Sequence, residues 1–244
     1  MTFLSTTSTP GLDRGRAALW RHSGTLAQAT VATILQTSSV LTSVDRFLEF
    51  VEPYVTDAAV LVVGTKSWVR ESGLLHPLQT LARTVTLREP YVLARGGAQG
   101  VFDAVILYER LQDPADAPLA AARLREGGVV VADAFTPDQF DDRSLRWWVD
   151  RLREHGIERT PSELHDEWNM ESREFATHPS YASLRRALDE HFTVRHFEWL
   201  PAFHEGDVFE VEDIPDELWD LEEAAVARGE IAGLGFRYAG ERRL

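Results

Sequence analysis

The stretch FDAVILYERLQDPADAPLAAARLREGGVVVADAF, residues 102–135, decides the fold. It opens with an apolar run, 102–107, and closes with a second one, 129–132, which follows two glycines. Apolar runs that do not alternate with polar residues are typical of strands buried on both faces, as in a parallel sheet covered by helices. Residues 114–125 between them have helical spacing. The stretch therefore predicts a strand, a helix and a second parallel strand, joined by a right-handed crossover.

The chain before this stretch carries the same kind of pattern. An apolar run at 58–63 ends at Gly64, and a β-branched run at 84–87 is followed by Arg88 and Glu89. Residues 68–82 between these runs have helical spacing, and residues 17–54 predict two helices that are broken around 37–43. The alternation of strands with helices predicts an α/β fold with a mostly parallel sheet and helices on both faces.

The chain after residue 135 predicts a different arrangement. Residues 136–185 form a helical insert after the strand that ends at Asp133. The segments 192–200 and 235–238 are strand-like and are separated by a long excursion, which favours an antiparallel C-terminal edge on the sheet. We expect a disordered tail at 1–11 and one domain over 12–244, in which 12–54 is a helical N-terminal cap.

Composition excludes several classes of function. The chain has 244 residues and no cysteine, which excludes disulfides, cysteine nucleophiles and thiolate metal sites. Its formal net charge of -14 argues against a nucleic-acid partner. It has no apolar run of about 18 residues, and no basic segment precedes an apolar one at its N-terminus. We therefore expect a cytoplasmic protein that neither spans nor binds a membrane.

Residues that follow the predicted strands are the candidates for ligand binding, because ligands of open α/β sheets bind at the carboxyl ends of the strands. Glu89 lies 25 residues after Gly64. A glycine turn with an acid at the next strand end is an arrangement that binds a nucleoside, since the carboxylate accepts both ribose hydroxyls. The other candidates are Val63, Thr65 and Lys66 after the first strand, and Tyr108 and Glu109 after the third.

Each of these candidates has a simpler interpretation. Glu89 could serve only to begin a helix before Pro90, and Lys66 could be a solvated loop cation. Tyr108 and Glu109 could be an ordinary pair at the start of a helix.

In this pattern of strands and strand-end residues, the chain resembles a divergent member of the class I S-adenosylmethionine-dependent methyltransferase superfamily. Residues 102–135 are similar to the family's fourth strand, the helix after it and the Gly-Gly turn into its fifth strand, and 60–64 is similar to its first strand. Segments 192–200 and 235–238 would be its terminal antiparallel pair. The resemblance implies S-adenosylmethionine as cofactor, bound by the candidates above with Glu89 on the ribose.

The chain departs from the family pattern in two places. The cofactor loop, which is glycine-rich in the family, is degenerate here, because Thr65, Lys66, Ser67 and Trp68 follow Gly64. Only 12 residues separate Glu89 from Phe102, too few for the helix and third strand that the family has there. We expect either that this strand is missing or that 91–93 is a vestige of it.

The insert at 136–185, together with the cap at 12–54, would form a lid that selects the acceptor. Within it, His178 or Tyr181 could act as a general base or as a gate. Trp147, Trp148, Trp168 and Trp199 could belong to a core or to an aromatic acceptor pocket, and a core is the more frequent role.

We predict no metal site. Asp133 ends a strand where related metal-dependent folds place an acid, but Asp103 points away from it. His165, Glu167 and His178 match no zinc spacing.

Residues 205–223 hold ten acids and no basic residue. Such a run is either a solvated face or, given its interspersed apolar residues, a surface that binds a basic protein partner or a second copy in a homodimer.

These observations predict an enzyme that transfers a methyl group from S-adenosylmethionine to a small-molecule substrate. Two rival hypotheses stand beside it: a methyltransferase-fold pseudoenzyme or scaffold that binds no cofactor, and the same fold catalysing a non-methylating reaction such as cyclisation.

Overall fold

Strands and helices alternate along the chain as the hydrophobic pattern predicts. The computed structural model describes residues 43–64, 69, 72–89, 100–107, 111, 113–174, 178–201, 203 and 217–243, which all belong to one compact unit, Val40–Leu244. The α-helices in these ranges are α1 (Ser43–Val55), α2 (Leu75–Leu81), α3 (Asp116–Arg123), α4 (Asp142–Glu154), α5 (Pro161–Glu174), α6 (Tyr181–His191) and α7 (Glu217–Ala227). The strands are β1 (Ala59–Val63), β2 (Thr84–Arg88), β3 (Phe102–Leu107), β4 (Leu124–Phe135), β5 (Phe192–Leu200) and β6 (Gly235–Arg242).

The six strands form one sheet in the order β2-β1-β3-β4-β6-β5. Strands β1 to β4 pair in parallel, β6 is antiparallel to β4, and β5 is antiparallel to β6. The predicted fold class is confirmed, including the antiparallel C-terminal edge. The chain runs outward from β1 to β2 on one side and to β3 on the other, so the strand order reverses between β1 and β3.

Helices cover both faces of this sheet. On one face α1 and α2 pack on β1, β3 and β4 through buried residues that include Phe47, Val51, Leu78, Ile106 and Val131. On the opposite face α3 and α6 pack on the same strands and on β6. A third buried cluster joins α4 and α5 to Phe203, Leu218 and Leu234. None of the helices in the described ranges is long and apolar enough to cross a membrane.

Strand β4 begins at Leu124, five residues earlier than its apolar run predicts, and α3 ends correspondingly early. The reason is the glycine pair. Gly127 has a φ of 70°, and a Cβ on Gly128 would lie 3.0 Å from the carbonyl oxygen of Arg125. The glycines allow a kink inside the strand, where its register with β3 shifts between Phe102 and Ala104, so that polar residues at 125–127 still belong to β4.

Asp103 fixes the amino end of the sheet. Its Oδ2 accepts a hydrogen bond of 2.7 Å from the Ala59 backbone amide and one of 3.0 Å from Arg83, and its carboxylate also pairs with Arg125. The side chain is 15% exposed. As predicted, Asp103 points away from the carboxyl edge where ligands bind.

We expect Asp103→Ala to lower the free energy of unfolding by about 2–3 kcal/mol, because it leaves the Ala59 amide and two guanidinium groups without their acceptor. Urea unfolding followed by circular dichroism measures this. Asp150→Ala is the matched control, since Asp150 forms only an exposed pair with Arg153 and its loss should change stability by no more than ~0.5 kcal/mol. Equal effects of the two changes would contradict the role given to Asp103.

Candidate functional site

The register of the strands places one row of residues across the carboxyl edge of the sheet. Val63 pairs with Arg88 and Leu107 pairs with Ala132, and the pair of Val62 with Ile106 puts Val63 and Leu107 at the same level. One residue beyond Arg88, Val63 and Ala132 lie Glu89, Gly64 and Asp133. The row continues into Arg237 of β6, which pairs with Asp133, and then into Glu198 of β5, which pairs with Arg237.

The side chains of Glu89 and Asp133 belong to the face that α1 covers. Side chains of a strand alternate between faces, and Leu87 and Val131, two residues before Glu89 and Asp133, lie in the cluster under α1. The row crosses the point between β1 and β3 where the strand order reverses. Crevices at such points are where open α/β sheets bind ligands.

Gly64 and Glu89 are neighbours in this row. The Gly64 amide donates a hydrogen bond of 3.0 Å to the Arg88 carbonyl, which extends the β1–β2 ladder beyond Val63. Val63 and Gly64 are buried and Glu89 is half-buried. The structure thus brings together three of the residues that the sequence predicts for cofactor binding. The other four, Thr65, Lys66, Tyr108 and Glu109, lie outside the described residues, as does the region 90–99 with its predicted strand vestige.

Asp133 and Arg237 form a buried ion pair at the centre of the row. Arg237 Nε donates to Asp133 Oδ2 at 3.2 Å, and Nη1 donates to Glu198 Oε1 at 3.4 Å. The side chains of Asp133 and Arg237 are 13% and 10% exposed, while that of Glu198 is 40% exposed. One guanidinium therefore links a buried carboxylate to one that reaches solvent.

Helix α1 covers this ion pair with aromatic rings. The guanidinium carbon of Arg237 lies 6.0 Å from the ring centre of Phe47 and 5.9 Å from that of Phe50. Phe50 also contacts His196, with 5.2 Å between ring centres, and His196 Nε2 lies 3.3 Å from Glu198 Oε2. The aromatic cover keeps water away from the pair, so its charges interact in a medium of low dielectric constant.

Burial raises the pKa of Asp133 from 3.8 to about 6, although the charge of Arg237 and its hydrogen bond act in the opposite direction. The nearby charge of Glu198 raises the pKa further. Desolvation thus outweighs the counter-ion. A carboxylate with such a pKa is ionised at neutral pH but close enough to it to accept a proton, which is the property of a general base.

The tryptophans of the insert form a core. Trp148 is fully buried and stacks on Phe203, with 5.7 Å between ring centres, and Trp168 stacks on Phe140 at 4.0 Å. Phe135, the last residue of β4, lies 6.4 Å from Trp168. The predicted insert is therefore helical, and its aromatic cluster sits on the carboxyl end of β4. Of the two interpretations of these tryptophans, the core is the one that Trp148 and Trp168 follow.

Tyr181 lies on the other face of the sheet. Its ring centre is 4.6 Å from that of Trp199 and 5.6 Å from that of Phe236, and its backbone amide donates to Asp138 Oδ1 at 2.9 Å. His178 is half-buried two residues before Ser180, the N-cap of α6. These contacts place Tyr181 against the antiparallel edge and do not bring it together with Gly64 and Glu89. The roles predicted for His178 and Tyr181 stay predictions.

Two of the residues considered for a zinc site, His165 and Glu167, contact protein side chains. His165 Nδ1 lies 2.8 Å from the Asn169 amide nitrogen, and Glu167 pairs with Arg159. Within the ranges that the structure describes, no group of three or more His, Asp or Glu side chains could hold a metal ion.

The described part of the acidic segment, 217–223, contacts α1. Arg46 Nη2 lies 3.2 Å from Asp220 Oδ1, the same guanidinium pairs with Glu223, and it lies 4.8 Å from the ring centre of Trp219. These acids therefore have a basic partner within the chain. The partner surface predicted for 205–223 otherwise lies outside the described residues.

Sequence reasoning missed the network of Arg237, Glu198 and His196. The available signal was strand alternation: Glu198 stands between Phe197 and Trp199, and Arg237 between Phe236 and Tyr238. A single charge flanked by aromatic residues in a strand marks a polar group on a largely buried face.

Comparisons with known proteins give low similarity throughout. Neither a family model nor a curated protein matches the chain. Among solved structures, the chain is similar to a geranyl diphosphate C-methyltransferase from Streptomyces coelicolor, with 11% identity, a TM-score of 0.43, and coverage of 81% of this chain and 77% of the other. An S-adenosylmethionine-dependent methyltransferase from Mesorhizobium loti has 15% identity and a TM-score of 0.41, covering 81% and 97%. The cyclase SpnF has 11% identity and a TM-score of 0.43, covering 82% and 80%.

Similarities of this size carry no functional weight. The site must be interpreted from the chain's own residues. These residues form a mixed parallel and antiparallel β-sheet. The charged row at its carboxyl edge contains a glycine beside an acid, and a buried carboxylate that can be protonated.

The raised pKa of Asp133 predicts a specific dependence of stability on pH. Between 3.8 and about 6 the folded protein holds a proton on Asp133 that the unfolded chain has lost. The stability from this proton is fully present below the lower value and is lost as pH rises through the upper one. We expect the free energy of unfolding of Asp133→Asn, minus that of the wild type, to rise by up to about 3 kcal/mol between about pH 4 and about pH 8.

Urea unfolding at several pH values measures this difference. Glu126→Gln, which removes an exposed carboxylate at the amino end of β4, is the control for the loss of one negative charge. A difference for Asp133→Asn that stays flat with pH would show that Asp133 titrates in the folded protein as it does in the unfolded chain.

Proposed function

We propose that the protein is a cytoplasmic enzyme that transfers a methyl group from S-adenosylmethionine to a small-molecule acceptor. The observation that carries this proposal is the contact between the Gly64 turn and the strand end that bears Glu89, because Gly64 ends β1, the strand beside which the strand order reverses. Backbone without a side chain and a carboxylate on the adjacent parallel strand are the two features that bind the nucleoside part of a cofactor at such a point.

The described residues fit the ribose of the cofactor. A carboxylate has four lone pairs directed outward and can accept both ribose hydroxyls, and a half-buried one such as Glu89 does so with little competition from water. Gly64 lets the ligand approach the backbone closely, and buried Val63 holds the turn on the sheet. When bound, the cofactor would supply an electrophilic methyl group on a positively charged sulfur.

The insert would form the rest of the site. Helices α4 and α5 reach the carboxyl end of β4 through Phe135 and Trp168, so the insert borders the edge where the row lies. Holding the acceptor in line with the methyl group and excluding water supply most of the rate in such a transfer. We include Thr65, Lys66, Tyr108 and Glu109 in the proposed cofactor site, and His178 and Tyr181 as a base or gate for the acceptor.

Titration calorimetry with S-adenosylmethionine and S-adenosylhomocysteine tests the proposal without knowledge of the acceptor. We expect both ligands to bind, and we expect Glu89→Gln to weaken both by about 10- to 100-fold, because the variant loses charge-assisted hydrogen bonds to the ribose.

Glu126→Gln is the control for this change, since it removes the same charge far from the row and should leave both affinities as they are. Absence of binding at millimolar ligand would overturn the proposal in favour of a scaffold that uses the fold without the cofactor. Binding that survives Glu89→Gln would show that the ribose lies elsewhere. Binding without methyl transfer to any acceptor would favour a non-methylating reaction such as cyclisation.

A further inference from the structure

Asp133 lies in the same row as the proposed cofactor site. Two strand spacings separate it from Gly64, a Cα distance of about 10 Å, and its side chain is on the same face of the sheet. It stands one residue beyond Ala132, the last residue of β4 that pairs with β3, and so lies at the carboxyl edge of the parallel strands. A buried carboxylate at this point needs an explanation, because burial of an ion costs several kcal/mol unless it is fully paired.

Arg237 satisfies only part of the hydrogen-bonding capacity of the Asp133 carboxylate. It donates to Oδ2 at 3.2 Å, and among the residues that the structure describes none donates to Oδ1. The pKa of about 6 shows the same imbalance, because desolvation outweighs the counter-ion. Arg237 therefore holds the carboxylate in orientation through Oδ2 without compensating the cost of its burial.

Among the described residues, two strands supply the charges nearest Asp133. Arg237 of β6 is its ion-pair partner, Glu198 and His196 of β5 lie beyond that guanidinium, and α1 adds the uncharged rings of Phe47 and Phe50. The net charge of Asp133, Arg237 and Glu198 is negative when both acids are ionised. Such a group in a water-poor setting attracts a cation that binds at the carboxyl edge.

We infer that Asp133 is a specificity-determining residue of the cofactor site, which favours the positively charged sulfonium donor over the neutral thioether product. This inference rests on the proposed function. Donor and product share the ribose, the adenine and the amino acid portion, and they differ by one methyl group and one positive charge at sulfur. Hydrogen bonds to the shared parts form equally with donor and product, whereas an ionised carboxylate is attracted to the charge at sulfur, which only the donor carries.

The expected size of the effect follows from Coulomb's law. If the charges are as far apart as the Cα atoms of Asp133 and Gly64, about 10 Å, and the effective dielectric constant is about 20, ionisation of Asp133 should favour the donor by roughly tenfold in affinity. By linkage, donor binding should lower the pKa of Asp133 and product binding should not.

The experiment measures the dissociation constants of S-adenosylmethionine and S-adenosylhomocysteine by calorimetry at intervals between about pH 5 and about pH 7, below the range where the ligands' amino groups titrate. We expect the product-to-donor ratio of dissociation constants in the wild type to rise roughly fivefold across this range, because Asp133 is neither fully protonated at its lower end nor fully ionised at its upper end. The ratio should stay flat in Asp133→Asn. Glu126→Gln should keep the wild-type rise, and so should His196→Gln, which separates titration of the imidazole from that of Asp133.

Each outcome either supports or overturns the inference about Asp133. Binding of both ligands with a flat ratio in the wild type would overturn this inference and leave the proposed function intact. A rise that persists in Asp133→Asn, or that disappears in His196→Gln, would also overturn it, because another group would then be responsible. Failure of both ligands to bind would overturn the proposed function and this inference with it. The wild-type titration does not depend on the variant, so a poorly folded Asp133→Asn would not prevent the decision.

Discussion

The pairing register of the sheet is the constraint on which the site depends. A slip of one residue in a strand moves every side chain to the opposite face. The pairs Val63 with Arg88 and Leu107 with Ala132 place Glu89 and Asp133 on the face under α1. In a slipped register these acids would face the apolar cluster of α3 and α6. The buried runs of β1, β3 and β4 thus do two things: they form the core, and they align chemically different residues in one row.

The ion pair of Asp133 and Arg237 stands where the parallel part of the sheet meets its antiparallel edge. Its burial opposes folding, since an apolar pair of similar volume would cost no desolvation. Asp103 shows the contrast: at the amino end it has three donors and a structural role, whereas Asp133 has one donor among the described side chains and a pKa raised to about 6. Perturbed carboxylates at the ligand edge of a sheet are where function is most often found.

The sheet could be predicted from the sequence because its strands are short apolar runs, whose burial on both faces is a local property. The ends of β3 and β5 follow from the pattern, whereas the start of β4 does not, because Gly127 and Gly128 permit a kink that keeps polar residues in the strand. Gly64 and Glu89 could be predicted as neighbours from their places at strand ends. The contact of Arg237 with Asp133 could not, because 104 residues separate them and only the antiparallel register brings them together.

The insert has a core of its own, and this separates two aspects of the site. Trp148, Trp168 and Phe140 pack with Phe203 and Leu218, and Phe135 is the one strand residue in the described ranges that joins their cluster. Substitutions in this cluster can therefore reshape the insert without disturbing the register that aligns Glu89, Gly64 and Asp133. Groups that recognise a constant ligand are best placed on the rigid sheet, and groups that recognise a variable one on an element that packs independently. On this physical ground, the row is the natural place for cofactor recognition and the insert for recognition of the acceptor.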